Sequence, residues 1–193
     1  ARIDDLVLLG YRQTVDKNSP PIRLFSPGGT QDAYFAGLGW SGTNLNGPTA
    51  DTLWTAPAGA KLTPATPVTL SWDNGHGQTF RITLSVDDNY MFSVTQTVAN
   101  NGAAPVGVAP YSYLSRVGAS PDKDTWTIHT GAMGVFNGAA DYINTKDIVG
   151  APGGTLSQRN TGGWLGFTGH FWLGAIIPDQ RVPVDTSFRD ANG

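Results

Sequence analysis

Residues 68–100 read VTLSWDNGHGQTFRITLSVDDNYMFSVTQTVAN, and three runs within them alternate with a period of two. Val68, Leu70 and Trp72 fall on one side, with Thr69, Ser71 and Asp73 on the other. Phe80, Ile82, Leu84 and Val86 oppose Arg81, Thr83, Ser85 and Asp87. Phe92, Val94 and Val98 share a third apolar side, on which Gln96 is the one polar residue. A strand turns successive side chains to opposite faces, so each run predicts a strand with one face on a core and one in water. Between the runs sit Asp73-Asn74-Gly75-His76-Gly77 and Asp87-Asp88-Asn89. These residue types accept left-handed backbone or bond their own main chain, so both clusters predict turns. The stretch therefore predicts an antiparallel meander of three strands.

Composition extends that reading to the whole chain. With 193 residues there is enough sequence for one large all-β domain with a substantial core. All 15 acidic residues are Asp, and Asp favours caps and turns where Glu favours helix. The 25 Gly and 13 Pro suit many turns and disfavour long helices. Net charge is −3 without a Lys/Arg cluster, so the electrostatic footprint of nucleic-acid binding is missing. With no Cys there is neither a disulfide nor a thiolate metal site, which fits either redox compartment. The greasiest run, Phe171–Ile177, falls far short of the ~20 residues of a spanning helix. The opening residues ARIDDL do not read as a signal peptide. The expectation is a soluble piece of something larger.

Taken in order, Leu6–Gly10, Ile22–Phe25 and Ala33–Trp40 predict strands, and Tyr11–Pro21 predicts a loop. Leu53–Thr55 predicts a short strand, and Lys61–Pro67 a proline-punctuated edge. Beyond the meander, Val106–Val117 predicts a strand kinked at Pro110. Trp126–His129 and Met133–Phe136 predict a hairpin through Thr130-Gly131. Asp141–Val149 is the best place for a helical turn, and Ala151–Thr161 reads as loop. Gly163–Asp179 predicts two strands meeting at Thr168-Gly169, and Val182–Phe188 a last strand. Neither a repeat nor a linker interrupts the chain, so residues 1–193 are expected to form a single domain.

Few residues invite chemistry. His76, His129 and His170 are far apart and lack the helical spacing of a metal pair, so no metal site is assigned. Asp73-Asn74-Gly75 lacks the full calcium-loop spacing and reads as a turn, as does Asp87-Asp88-Asn89. No Gly-x-Ser-x-Gly elbow or phosphate-cradling loop is present, and no catalytic residue or cofactor is assigned. The most distinctive chemistry is the aromatic block Trp164, Phe167, Phe171 and Trp172. It reads first as sandwich core and second as an apolar groove for a ligand or partner. Trp72 and Trp172 sit at inward positions and are expected to be packing residues.

At Trp72–Gly75, Tyr90–Val94 and Gly162–Gly166 the chain resembles the large periplasmic domain of the YidC-type membrane protein insertases of Gram-negative bacteria. The resemblance continues, in the same order, at Gly39-Trp40, Thr52–Thr55, Pro110–Arg116 and Phe171–Pro178. It implies a β-supersandwich similar to galactose mutarotases and carbohydrate-binding domains, lying on the periplasmic side of the inner membrane between the first two transmembrane helices. The whole protein would insert and fold nascent inner-membrane proteins, alone or with the Sec translocon (SecYEG), and this domain would contact SecDF. The resemblance also implies further strands at both ends and a helical connector to the membrane, so the chain is expected to be a fragment. Three functions compete: a non-catalytic interaction domain, a mutarotase-like sugar-active enzyme, and a carbohydrate- or peptide-binding module. The enzyme would need a base and an acid, usually a carboxylate and a histidine, and no His–Asp pair stands out.

Overall fold

The computed structural model describes residues 1–43, 45–118 and 129–191. Fourteen strands and one short α-helix lie among them. In chain order these are β1 (Arg2–Ile3), β2 (Leu6–Arg12), β3 (Pro21–Phe25), β4 (Tyr34–Ser41), β5 (Val68–Asp73), β6 (Gln78–Val86) and β7 (Phe92–Asn100). There follow β8 (Ala109–Arg116), β9 (Gly131–Phe136), β10 (Ala139–Ile143), α1 (Thr145–Gly150), β11 (Thr155–Thr161), β12 (Trp164–Thr168), β13 (Leu173–Ile176) and β14 (Pro183–Arg189). The protein is all-β and mainly antiparallel. Its sheets run β1-β4-β8, β5-β6-β7, β2-β3, β10-β9-β12-β13 and β11-β14. The described ladders are shared among several small sheets. Loops rich in proline and a shifted β2–β3 register interrupt the pairing. Two compact units divide the chain: Ala1 with Gly37–Ser112, and Arg2–Ala36 with Tyr113–Gly193.

In the first unit the meander forms in one uninterrupted register. Val68 pairs with Leu84 and Trp72 with Phe80, and Phe80 in turn pairs with Val98. Phe80 and Ile82, on the central strand, are 0% exposed. Trp40 meets the Phe80 ring edge-on at 5.2 Å, Trp72 lies tilted against it at 5.6 Å, and Trp54 covers Trp40 at 6.2 Å. Gln96 is the polar residue on the apolar side of β7, and its amide donates to the Gly39 carbonyl of β4 at 2.8 Å. Both predicted turns form as the residue types require. Asp73 Oδ1 accepts from the Gly75 N–H, Asn74 Oδ1 from the His76 N–H, and Asp87 Oδ1 from the Asn89 and Met91 N–H groups. The Leu53–Thr55 strand is reduced to a single bridge between Thr55 and Ser71, with Leu53 89% exposed. Lys61–Pro67 likewise holds only the Thr63–Thr66 bridge. Prolines at 57, 64 and 67 lack the N–H that a longer ladder would use.

The second unit corrects two expectations, the helix bounds and the Ala151–Thr161 loop. β9 pairs with β10, and Trp126–Ile128 of the expected hairpin lie outside the described residues. The connection is Asn137-Gly138, with φ of 50° and 84°. Two successive positive φ values make the tight turn whose twist matches paired strands, and Asn-Gly is its usual sequence. Asp141–Ile143 belong to β10, so the helix is confined to Thr145–Gly150. Thr155–Thr161 is a strand paired along its length with β14, although nothing in TLSQRNT alternates. The hairpin of β12 and β13 forms as predicted, and β12 also pairs with β9. Ala132, Phe136, Ile143, Ile148 and Phe188 form the core here, with Leu156, Leu165 and Phe167 against it.

Tyr34 ties several of these strands together. Phe25 lies edge-on to its ring at 4.9 Å, Phe167 at 6.3 Å, and the Arg116 guanidinium sits over it at 5.2 Å. Its hydroxyl is 3.3 Å from the Phe167 carbonyl and 3.5 Å from that of Gly174. Burial pushes the phenol up to about 12, against the opposing influence of Arg116 and the Gly174 bond. Below pH 10 the hydroxyl is protonated in both folded and unfolded chains, and its contribution is fully present. As pH rises from 10 towards 12 the unfolded chain ionises first, and stability falls by up to about 2–3 kcal/mol. The wild-type protein should therefore lose urea stability faster across this window than Tyr34→Phe does. Parallel curves for the two proteins would show that the hydroxyl is not buried.

Candidate functional site

The β12–β13 hairpin carries the aromatic block, and its geometry separates the four side chains. Trp164 and Phe167 are three residues apart on one strand and so point to opposite faces. Phe167 joins the core, edge-on to both Tyr34 and Phe188. Trp164 is half-buried opposite Val135. Phe171 and Trp172 lie in the turn, which the Gly169 N–H closes by donating to the Trp172 carbonyl at 2.7 Å. Trp172 is half-buried against the edge of Tyr11 at 4.8 Å. Phe171 is 79% exposed beside His170, whose ring is 4.3 Å away. Trp172 is thus a packing residue, as is Trp72. A shared groove would need all four side chains on one surface, and the strand phase puts Trp164 and Phe167 on opposite faces while Phe171 and Trp172 have different neighbours in the turn.

A separate cleft of about 180 Å³ opens where β10 approaches β11 and β14. Its apolar floor is Phe136, Ile143, Leu156 and Phe188, with Asp141, Gln158 and Thr186 among the polar groups at its margin. That volume is below the roughly 300–1,000 Å³ of small-molecule pockets. This cleft was not legible beforehand, because Leu156 and Gln158 belong to the strand read as loop. None of the three histidines lines this cleft. His129 Nε2 lies 2.9 Å from the Ala132 carbonyl, His76 is exposed in the β5–β6 turn, and His170 is in the aromatic turn. Among the described residues no three His, Cys, Asp or Glu side chains come together as a metal site would require. Asp73, Asn74 and Asp87 spend oxygens on their own turns, as described above.

The Gly162-Gly163-Trp164 run at the start of β12 has a packing explanation. Gly163 has a φ of 82°, and a Cβ there would run into the Val135 carbonyl oxygen of β9. The Gln180 side chain holds the same residue, accepting from the Gly163 N–H at 2.8 Å and donating to its carbonyl at 2.9 Å. At the far end of the hairpin, Arg116 donates to the Thr168 carbonyl at 3.5 Å. Within the segments that carry the family resemblance, Asp73–Gly75 thus serve a turn, Gly163 a close approach and Arg116 an anchor.

The family model for the YidC periplasmic domain matches residues 1–193. The chain belongs to this family. A membrane protein insertase YidC of Zymomonas mobilis is 46% identical over 193 residues, covering 99% of this chain and 33% of the relative. One from Rhizobium etli is 44% identical over 97% of this chain and 32% of its own length. Another, from a Ruegeria species, is 47% identical over 92% of this chain and 31% of its own length. The chain thus spans about a third of the length of these relatives. Among the described residues no helix is long and apolar enough to cross a membrane.

Substitutions should rank by these contacts. Gly163→Ala combines a positive φ with backbone overlap and should cost about 2–4 kcal/mol. Gly138→Ala meets nothing within 4 Å, so only its φ is strained and the cost should stay near 1 kcal/mol. Phe171→Ala should change stability by less than about 0.5 kcal/mol. Urea midpoints of the three variants test the order. A large loss at Phe171 would place its ring in a packed environment.

Proposed function

We propose that residues 1–193 act as a non-catalytic interaction domain of a membrane protein insertase, held on the periplasmic side of the bacterial inner membrane. The observation that carries this reading is the family match across the whole chain, together with relatives named as YidC insertases. The proposed partners are SecDF and the SecYEG translocon, with nascent inner-membrane proteins reached through the rest of the parent protein. The two units would behave as one domain, which the single continuous family match supports. Phe171 is the proposed contact residue of the aromatic block, since an exposed aromatic at a loop tip can anchor a partner, with Trp172 packed on Tyr11 beside it. Trp164 and Phe167 would support that turn from β12.

The insertion step itself is assigned to the rest of the parent. Moving a polypeptide into a bilayer requires a surface that shields polar backbone at membrane depth. The described chain offers short strands and small sheets, and its net charge of −3 brings no attraction to anionic lipid. A parent protein lacking most of residues 1–193, with its downstream connector kept, should still insert a simple single- or double-spanning substrate. Its contact with SecDF should be lost. The assay is depletion of the native insertase, complementation with the deletion, and protease protection of the substrate, with crosslinking to SecDF alongside. Failed insertion at normal membrane levels of the deletion protein would give this domain a direct part in insertion. Polarimetry on galactose separates the sugar-isomerising alternative, and anomer interconversion faster than buffer would support an enzyme.

A further inference from the structure

Sheet edges invite further strands, and proteins discourage them with short edges, charge, proline, bulges or cover. Nearly every edge among the described residues follows this rule. β1 and β13 are two and four residues long, and β3, β8 and β14 contain proline. β2 is shifted in register, β10 and β11 carry Asp141 and Arg159, and β5 is met by the Thr55–Ser71 bridge. β7 differs. It is nine residues long, has neither charge nor proline, and pairs with β6 without a register shift.

The hydrogen-bond phase shows which groups this edge presents. The Asn101 N–H donates to the Gly77 carbonyl at 2.8 Å, and the Asp87 N–H to the Met91 carbonyl at 3.0 Å. Both bonds lie on the register that pairs Gln78 with Asn100 and Val86 with Phe92. Antiparallel ladders alternate, so residues 93, 95, 97 and 99 aim their main chain at β6. Phe92, Val94, Gln96 and Val98 aim theirs away from it. No hydrogen bond reaches those four main-chain units among the described residues. Val94 is also 38% exposed although it sits on the apolar side of the strand.

We propose that β7 is a pairing surface whose occupant is β7 of a second copy of this chain, antiparallel about a two-fold axis at Gln96. An isologous contact must be self-complementary, and this strand satisfies that condition. An axis on residue 96 sets Gln96 against itself, and Val94 against Val98 of the second copy. Each of these residues aims its main chain outward, so every such pair exchanges two hydrogen bonds. Two Val–Val pairs cover the exposed Val94 surface, and no like charges meet. The inference goes beyond the proposed function and does not depend on it.

The test is sedimentation equilibrium of the 193-residue chain over a concentration series, with amide exchange followed by nuclear magnetic resonance. Wild type, Val94→Pro and Val94→Lys are compared. The Val94 N–H bonds nothing within the protomer, so proline there removes no ladder bond, and lysine supplies the missing edge charge. Wild type should move from 20.4 kDa to twice that mass as concentration rises. The amides of Val94, Gln96 and Val98 should gain protection over the same range. Both variants should stay at the protomer mass with folded spectra. Wild type that stays monomeric throughout overturns the proposal, as does a dimer that persists in either folded variant. Concentration-independent protection of those amides also overturns it, because another part of the same chain would then cover β7.

Discussion

Burial of Phe80 and Ile82 on the central strand of the meander is the constraint from which the rest can be followed. Both are wholly removed from water, and each such side chain contributes about 1.5–3 kcal/mol. Because strand side chains alternate, fixing these two fixes the phase of all of β6. A slip by one residue would bury Arg81 and Thr83 instead. The neighbours inherit that phase: Trp72 and Leu70 on β5, and Val98 and Val94 on β7. Trp40 then closes over Phe80, which brings the Gly39 carbonyl within reach of Gln96.

The second unit is governed more by close approach than by alternation. Gly163 lets β12 run against the Val135 carbonyl of β9, and the Asn137-Gly138 turn sets the β9–β10 register. With those fixed, Phe136, Ile143 and Phe188 share one core, and Phe167 reaches it from β12. Among the residues that resemble the YidC family, Trp40 and Trp72 pack the core, Gly163 allows a close approach and Arg116 anchors the hairpin. A scaffold that presents a surface to partners has this character, and the proposed function fits it.

The meander was legible because its apolar and polar residues alternate without a break. Gln96 looked like an error in that pattern, yet a half-buried amide is acceptable where it meets a carbonyl, and its partner lies 57 residues away. β11 was hidden for the opposite reason. Its sequence TLSQRNT has no apolar face of its own and is held by pairing with β14. The β9–β10 hairpin did announce itself, since Asn137-Gly138 is a strong turn signal, but Asp141–Val149 drew the helical reading. The aromatic block shows a limit of another kind. Four aromatics close in sequence suggested one surface, while the two-residue period of a strand and a tight turn divided them among core, half-buried positions and solvent.

A family domain that acts by presenting a surface should be one cooperative body, and that is the central claim. Its most direct measurement is urea unfolding of wild type and Ile82→Ala, followed residue by residue. The resonances to compare are those of Phe80 and Leu84 on β6 with those of Gly134 and Val135 on β9. Truncating a buried Ile to Ala costs about 2–5 kcal/mol. The account predicts that both sets move to lower urea together and by the same amount. If the β9 resonances keep their wild-type midpoint while those of β6 shift, the two units fold independently and the claim of a single domain fails.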